Sequence, residues 1–376
     1  MIQSWDIFCR VVDNYGDIGV CWRLARQLAA ERDDAVRLWV DAPQALAMIW
    51  PAFDAGADAQ RCEGVEIRHW SESMPDVAPH AVVIEAFACK TPDSFVEAMV
   101  RCQPAPVWIN LEYLSAEAWI DECHLLPSPH PQLPLTKYFY FPGFTPDSGG
   151  LLRERGLLAA RDAFMRDAAA RADFWRALDV VAPPDALRIS MFAYANPAAM
   201  GLLEAWAGGA HPIVCVVPEG VLSAALAAFF GAPVVPGARL VRGNLQVAVI
   251  PFVQQTDYDL LLWASDINFV RGEDSFVRAQ WAGVPLVWHI YPQEAAAHRH
   301  KLDAFVRRHR ALLGTAGAAV GALFDAWNGE GDVGSAWAGA HAALPQWRSG
   351  AAAWSAALAN ERDLVSALSE AVENRL

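Results

Sequence analysis

Apolar residues in this chain come in short runs separated by stretches with helical spacing. Residues 5–12, Trp-Asp-Ile-Phe-Cys-Arg-Val-Val, predict a first strand, and 20–31 carries apolar residues at helical intervals. Further strands are predicted at 36–41, 81–86 and 106–111, with helical patterns between them. Strand alternating with helix predicts a parallel α/β sheet. From 126 to 150 the pattern turns loop-like, with six prolines and the run Ser148-Gly149-Gly150. Residues 158–178 predict one long Ala/Arg/Asp-rich helix, and Val181-Ala182-Pro183-Pro184-Asp185 then breaks the chain. A domain junction is expected within 142–185. A second alternation follows, with strands at 187–194, 212–217, 245–252, 266–270 and 285–291. From about 294 the chain is nearly all helical, and its last helix, about 351–373, is expected to pack back on the first domain. The domains are drawn at 1–155, with a returning helix at about 355–376, and at 180–354. The architecture expected is two doubly wound α/β halves facing across a cleft.

Length agrees, since 376 residues exceed what one core holds. No run approaches 18 uninterrupted apolar residues, so no membrane span is expected. Met1-Ile2-Gln3-Ser4-Trp5-Asp6 lacks a basic segment followed by an apolar one, so no signal peptide is expected. Seven cysteines form no Cys-x-x-Cys pair, which predicts a reduced, cytoplasmic, metal-free protein. A formal net charge of −14 argues against a nucleic-acid partner and suits a cationic substrate or a basic patch on a partner. Most of the sixteen tryptophans are expected in the core, and Trp-rich surfaces also anchor partners.

The most informative segment is Arg271-Gly272-Glu273-Asp274-Ser275-Phe276, between the apolar run Ile267-Asn268-Phe269-Val270 and a predicted helix. A turn at the carboxyl end of a strand and the start of a helix favours an anion such as a pyrophosphate. Arg271 neutralises charge there and Ser275 offers a hydroxyl. Glu273 and Asp274 do not suit a plain phosphate cradle. They do suit a ligand with both phosphates and hydroxyls, a nucleotide sugar. The competing reading is that Asp274 and Ser275 cap a helix. Aromatic residues close the neighbouring strands: Phe192, Tyr194, Phe252 and Tyr291. Their faces suit stacking on a nucleobase, worth on the order of 1–3 kcal/mol per base, or they plug the sheet end.

In the first half, Asp13-Asn14-Tyr15-Gly16-Asp17-Ile18-Gly19 follows strand one. The dinucleotide fingerprint is absent, with only Gly16-x-x-Gly19 present. Two carboxylates repel a pyrophosphate and welcome a cation; the alternative is again helix capping. Glu85 and Glu112-Tyr113 lie at strand ends and extend an acidic face. His298-x-His300 lacks further ligands at metal spacing and reads as a solvated face. No Gly-x-Ser-x-Gly elbow and no Gly-x-x-x-x-Gly-Lys-[Ser/Thr] loop occurs.

The opening run from Trp5 to Arg23, the segment Pro251-Phe252-Val253-Gln254-Gln255 and the 271–276 turn together resemble the EarP family of bacterial protein-arginine rhamnosyltransferases. The resemblance covers essentially the whole chain. It implies a GT-B fold and inverting transfer of L-rhamnose from thymidine diphosphate-β-L-rhamnose to one arginine of translation elongation factor P, relieving ribosomes stalled on polyproline. It implies no cofactor and no metal, a protein acceptor on the N-terminal domain and the nucleotide sugar on the C-terminal domain. By matching motif it implies that Asp13, Asp17 and Glu273 are the essential acids, with Asn14, Tyr15, Gly16 and Gly19 forming the acceptor loop. Phe192, Tyr194, Phe252, Gln255, Arg271, Asp274, Ser275 and Tyr291 are implied for the donor pocket. Tyr258 stands where the family pattern has a phenylalanine. The alternatives are a GT-B enzyme with another sugar or a small-molecule acceptor, and a non-catalytic protein that binds a translation factor.

The residues fit that chemistry. A guanidinium stays protonated, with a pKa above about 12. A catalyst must bind the cation, orient one nitrogen and take a proton as the bond forms. Paired carboxylates suit all three tasks. Asp17 is expected as the base and Asp13 as its orienting partner. Arg271 and the helix start beside it are expected to meet the charge that grows on the leaving phosphate. Glu273 is expected to accept hydrogen bonds from the donor.

Overall fold

A computed structural model describes residues 3–13, 15–71, 74–292 and 297–374. The chain divides into two compact units, Met1–Arg155 with Asn360–Leu376, and Gly156–Ala359. In the first unit the strands are β1 (Ser4–Cys9), β2 (Ala35–Val40), β3 (Ala59–Cys62), β4 (Val65–His69), β5 (Val82–Ala86), β6 (Val107–Leu111), β7 (Pro127–Pro129) and β8 (Thr136–Tyr140). They form one sheet in the order β3-β4-β2-β1-β5-β6-β8-β7. Its six inner strands run parallel, and β3 and β7 are antiparallel edges. Helices α1 (Gly16–Arg32), α2 (Pro43–Ile49), α3 (Asp93–Arg101) and α4 (Trp119–Cys123) join them.

The second unit opens with α5 (Leu157–Arg166) and α6 (Ala168–Ala177). Then β9 (Leu187–Met191), α7 (Ala199–Gly208), β10 (Ile213–Pro218), α8 (Ser223–Phe230), β11 (Arg239–Arg242), β12 (Leu245–Ile250), α9 (Gln255–Ala264), β13 (Ile267–Arg271), α10 (Asp274–Ala282) and β14 (Leu286–His289) build a sheet in the order β11-β12-β10-β9-β13-β14. Only β11 is antiparallel. Helices α11 (Ala297–Ala311), α12 (Gly317–Trp327), α13 (Val333–Ala342) and α14 (Leu344–Ala359) follow, and α15 (Leu364–Glu373) belongs to the first unit. No described helix is long and apolar enough to cross a membrane.

The central strands β1, β5, β6 and β10 are buried on both faces, as parallel strands covered by helices are. In the first unit Phe8 stacks on Trp39 at 5.5 Å and meets Phe95 edge-on at 5.0 Å. In the second, Trp206 and Trp327 each set an edge against Phe269.

Five departures from the sequence pattern have local causes. Strand one ends at Cys9 and α1 begins at Gly16, so residues 10–13 leave the sheet before the helix starts. The loop-like stretch 126–150 holds β7 and β8; Thr136–Phe139 are only half-buried, so no apolar run marks them. The long helix of 158–178 breaks at Asp167, whose extended backbone (φ −87°, ψ 97°) ends α5 while its carboxylate accepts from Ala169 and Ala170 N–H at 2.9 Å to start α6. The last helix breaks likewise, with Asp363 capping α15 through Ser366 N–H at 3.1 Å. The β3–β4 hairpin was missed because it is a short pair in which only Val65 and Ile67 are buried, turning on Glu63-Gly64, both at positive φ.

Asp6, on β1, is fully buried and receives four hydrogen bonds. Arg37 donates to it through Nε at 2.6 Å and Nη2 at 2.9 Å, Trp39 Nε1 at 2.8 Å and His80 N–H at 2.8 Å. The pair ties β1 to β2 across the middle of the sheet. Asp6→Ala leaves the Arg37 charge buried without its partner, so it should cost about 3–5 kcal/mol. Urea unfolding measures this; a loss under about 1 kcal/mol would mean water reaches Arg37.

Candidate active site

Parallel strands bring all their carboxyl ends to one edge, and a crevice opens where the strand order reverses. In the first sheet the reversal falls between β1 and β5, because the chain steps from β1 to β2 on one side and returns to β5 on the other. The Asp13–Asp17 turn leaves the sheet at that point. Asp17, in the first turn of α1, is 2% exposed. Its Oδ2 accepts from Val12 N–H at 2.7 Å and Asp13 N–H at 2.8 Å. Its Oδ1 accepts the Tyr113 hydroxyl at 3.1 Å. All three donors are neutral. Each carboxylate oxygen has two lone-pair directions, so among the described residues Oδ2 is filled and Oδ1 keeps one.

For Asp17 the capping alternative does not hold. The N-cap of α1 is Tyr15, with no side-chain cap, and Asp17 holds the loop upstream of the helix instead. Asp13 is half-buried. Gly16 donates its N–H to Asp13 O at 2.6 Å, and a Cβ at Gly16 would stand 2.7 Å from Asp13 Oδ2. Only glycine lets that carboxylate lie over the helix start. Gly19 is buried in α1, donating to Tyr15 O at 2.9 Å. Asn14 lies outside the described residues.

Two aromatic residues support the acid, and sequence reasoning placed only Tyr113, as part of an acidic face. Tyr113 follows β6 and stacks on Phe87, centroids 4.4 Å apart and 16° from parallel. Phe87 and Ala88 follow β5 with φ of 58° and 54°. Left-handed backbone at a non-glycine residue costs about 1–3 kcal/mol and persists only where surroundings enforce it.

In the second sheet the order reverses between β9 and β13. Phe192 and Tyr194 follow β9, and Arg271 ends β13. The Arg271 guanidinium lies 4.2 Å from the Phe192 ring centre and 4.8 Å from that of Tyr194, and donates to Ala193 O at 3.2 Å. Among the described residues no carboxylate pairs with it. Gly272 turns the chain at φ 59° and its carbonyl accepts Trp288 Nε1 at 2.8 Å.

Neither Asp274 nor Ser275 caps α10, whose N-cap, the half-buried Glu273, makes no side-chain capping bond. Ser275 Oγ closes the turn, accepting Arg271 N–H at 3.1 Å and donating to Arg271 O. Asp274 Oδ2 accepts Gln255 Nε2 at 3.0 Å and Arg278 Nε at 3.0 Å, and Arg278 Nη1 reaches Asp259 Oδ2 at 2.8 Å. Arg278 was not singled out from sequence; its i,i+4 spacing from Asp274 was the available signal. Tyr258 is buried beside Phe192, and burial pushes its phenol up. Tyr291 is 40% exposed, with its ring 5.4 Å from Tyr194. Phe252 follows β12, half-buried, its N–H donating to Glu219 Oε1 at 3.2 Å.

Residues 5–373 match the family model described as Elongation-Factor P (EF-P) rhamnosyltransferase EarP. The chain belongs to the EarP family. It is 51% identical to the protein-arginine rhamnosyltransferase of Pseudomonas putida, each chain covered in full. A solved structure concerned with EarP-mediated arginine glycosylation of translation elongation factor EF-P is 38% identical, covers all of both chains and superposes with a TM-score of 0.71. The fold is GT-B; at the level of fold alone MurG of Acinetobacter baumannii also superposes, with 11% identity and a TM-score of 0.50 over both whole chains. This member of the EarP family is therefore a protein-arginine rhamnosyltransferase, a glycosyltransferase that acts on a protein. Its two candidate sites stand at the strand-order reversals where α/β sheets hold ligands.

His289, beneath the Tyr194 ring at 5.3 Å, is buried, and burial first, then Arg271 and His298, lower its pKa to about 4. The unfolded chain binds that proton near the ordinary value of 6.5, so between pH 6.5 and about 4 it binds more protons than the folded one. Stability contributed by the neutral ring is complete above that window and falls as pH falls through it. His124, lowered to about 4, and fully buried His309, lowered to about 3, act in the same direction. Urea midpoints should therefore drop from pH 6.5 to 4, with a shallower slope in His289→Gln. An unchanged slope would show that His289 is protonated in the folded protein.

Proposed function

We propose that the chain transfers L-rhamnose from thymidine diphosphate-β-L-rhamnose to one arginine of translation elongation factor P, with inversion and without a metal. One contrast carries the reading. The reversal in one sheet holds buried acid with acceptor capacity, and the reversal in the other holds a guanidinium, with no carboxylate partner among the described residues, between aromatic rings and a helix start. A cationic side chain suits the first, and a nucleoside diphosphate suits the second. The family description supports elongation factor P as acceptor. The reaction is placed in the cytoplasm, where translation factors work and seven free cysteines stay reduced.

On this reading Asp13 and Asp17 hold the acceptor guanidinium and orient one nitrogen. Asp17 Oδ1 takes a proton as the C–N bond forms. Carboxylates as a class are weak bases for a guanidinium proton. Transfer is therefore late, driven by the developing bond. The sugar passes through an oxocarbenium-like state, as in other glycosyl chemistry. Direct attack opposite the diphosphate inverts the anomeric centre and needs no covalent intermediate. Arg271 and the first-turn N–H groups of α10 meet the charge leaving with the phosphate. Glu273 accepts hydrogen bonds from donor hydroxyls. Phe192, Tyr194, Tyr258, Phe252 and Tyr291 form the nucleoside side of the pocket, and Gln255, Asp274 and Ser275 its polar wall.

Incubation with thymidine diphosphate-rhamnose and elongation factor P should add one deoxyhexose to a single arginine, located by peptide mass spectrometry. In Asp17→Asn the amide oxygen keeps the loop bonds while the amide nitrogen turns a donor toward the guanidinium. It should cut kcat by about 10²–10⁴ and leave donor affinity within about twofold. Lost donor binding in calorimetry would remove Asp17 from the acceptor side. Arg271→Ala should weaken donor binding about tenfold or more; wild-type affinity would end its phosphate role.

A further inference from the structure

We propose that Tyr113, seated on Phe87, is a positioning residue that sets the direction in which the Asp17 carboxylate meets the acceptor guanidinium. The inference rests on the reading of Asp17 as the base. The terminal torsion of an aspartate is broad, so an anchor on one oxygen leaves the other free to swing. Here Oδ2 is anchored by Val12 and Asp13 N–H, and among the described residues the Tyr113 hydroxyl is the anchor on Oδ1. It occupies one lone-pair direction of the oxygen and thereby assigns the other to the substrate.

The support under Tyr113 is built with effort that a plain core contact does not need. Phe87 and Ala88 both hold left-handed backbone although neither is glycine. Phe87 N–H donates to Leu111 O at 2.7 Å, tying this turn to the end of β6, two residues before Tyr113. Cys89 N–H closes the turn on Ala86 O at 3.2 Å. The result is a ring stacked under Tyr113 at 4.4 Å. Packing alone would be served as well by phenylalanine at 113; the hydroxyl is used on the acid. β5 and β1 flank the strand-order reversal, so the turn after β5 is the nearest backbone from which a second element can brace the β1 acid.

The test is steady-state kinetics of the full chain with nucleotide sugar and protein acceptor. Tyr113→Phe keeps the stacked ring and removes only the hydroxyl. It should lower kcat about tenfold, with acceptor KM and donor affinity within about twofold. Phe87→Leu, which removes the platform and keeps the hydroxyl, should lower kcat in the same direction and by less. Thermal midpoints accompany both, and should Tyr113→Phe not fold, Phe87→Leu decides alone. A wild-type kcat in the folded variant, or a loss carried by KM instead, overturns the proposal. No transfer by the unmodified chain would overturn the function on which it rests, and this proposal with it.

Discussion

Parallel pairing of one central strand with neighbours on both sides is the constraint from which the rest of each unit follows. β1 pairs in parallel with β2 and β5, and β9 with β10 and β13. Parallel strands need a crossover, and the crossover is right-handed, so consecutive strands on one side put their helices on one face. When the chain returns to the other side of the first strand, its helix goes to the opposite face. The two loops at that reversal splay apart, and a crevice opens between them. The turn after β1 and the turn after β13 are therefore positioned by topology before any side-chain chemistry acts.

Charge then distinguishes the two crevices. The first sheet carries its cation buried and neutralised in the middle, where Arg37 meets Asp6, and presents acid at its edge. The second buries Arg278 between Asp259 and Asp274 and presents Arg271 at its edge. A buried ion pair is weak evidence for stability, but removing one partner is costly. The first pair holds two strands in register and the second ties the start of α10 to α9, and each leaves charge of one sign available at the sheet edge. In the second unit the arrangement is economical: Asp274 is fixed by Arg278 and in turn fixes Gln255, so a single buried guanidinium orders two polar side chains beside the strand-order reversal.

Some of this was legible because it depends on near neighbours in the chain. The runs at 36–41, 81–86 and 106–111 appear as β2, β5 and β6, since strands buried on both faces are continuously apolar. β8 was not legible because its residues are half-buried and carry no such run. The helix breaks at Asp167 and at 360–363 were not legible either: a capping aspartate inside an alanine-rich stretch looks the same as one on a solvated helix face. Tyr113 and Phe87 stood 26 positions apart with no spacing to link them. Only the adjacency of β5 and β6 brings their rings together.

The alternation of elements, the parallel class of both sheets, the acidic turn after strand one and the mixed turn at 271–276 are properties of the sequence by itself, because periodicity and turn chemistry act over a few residues. Whether Asp17 and Ser275 cap helices or hold loops, which tyrosine braces which acid, and where Arg271 rests were decided only by tertiary structure. Hydrogen bonds and ring contacts between segments far apart in sequence depend on strand order, and strand order is set by burial of the whole sheet rather than by any local pattern.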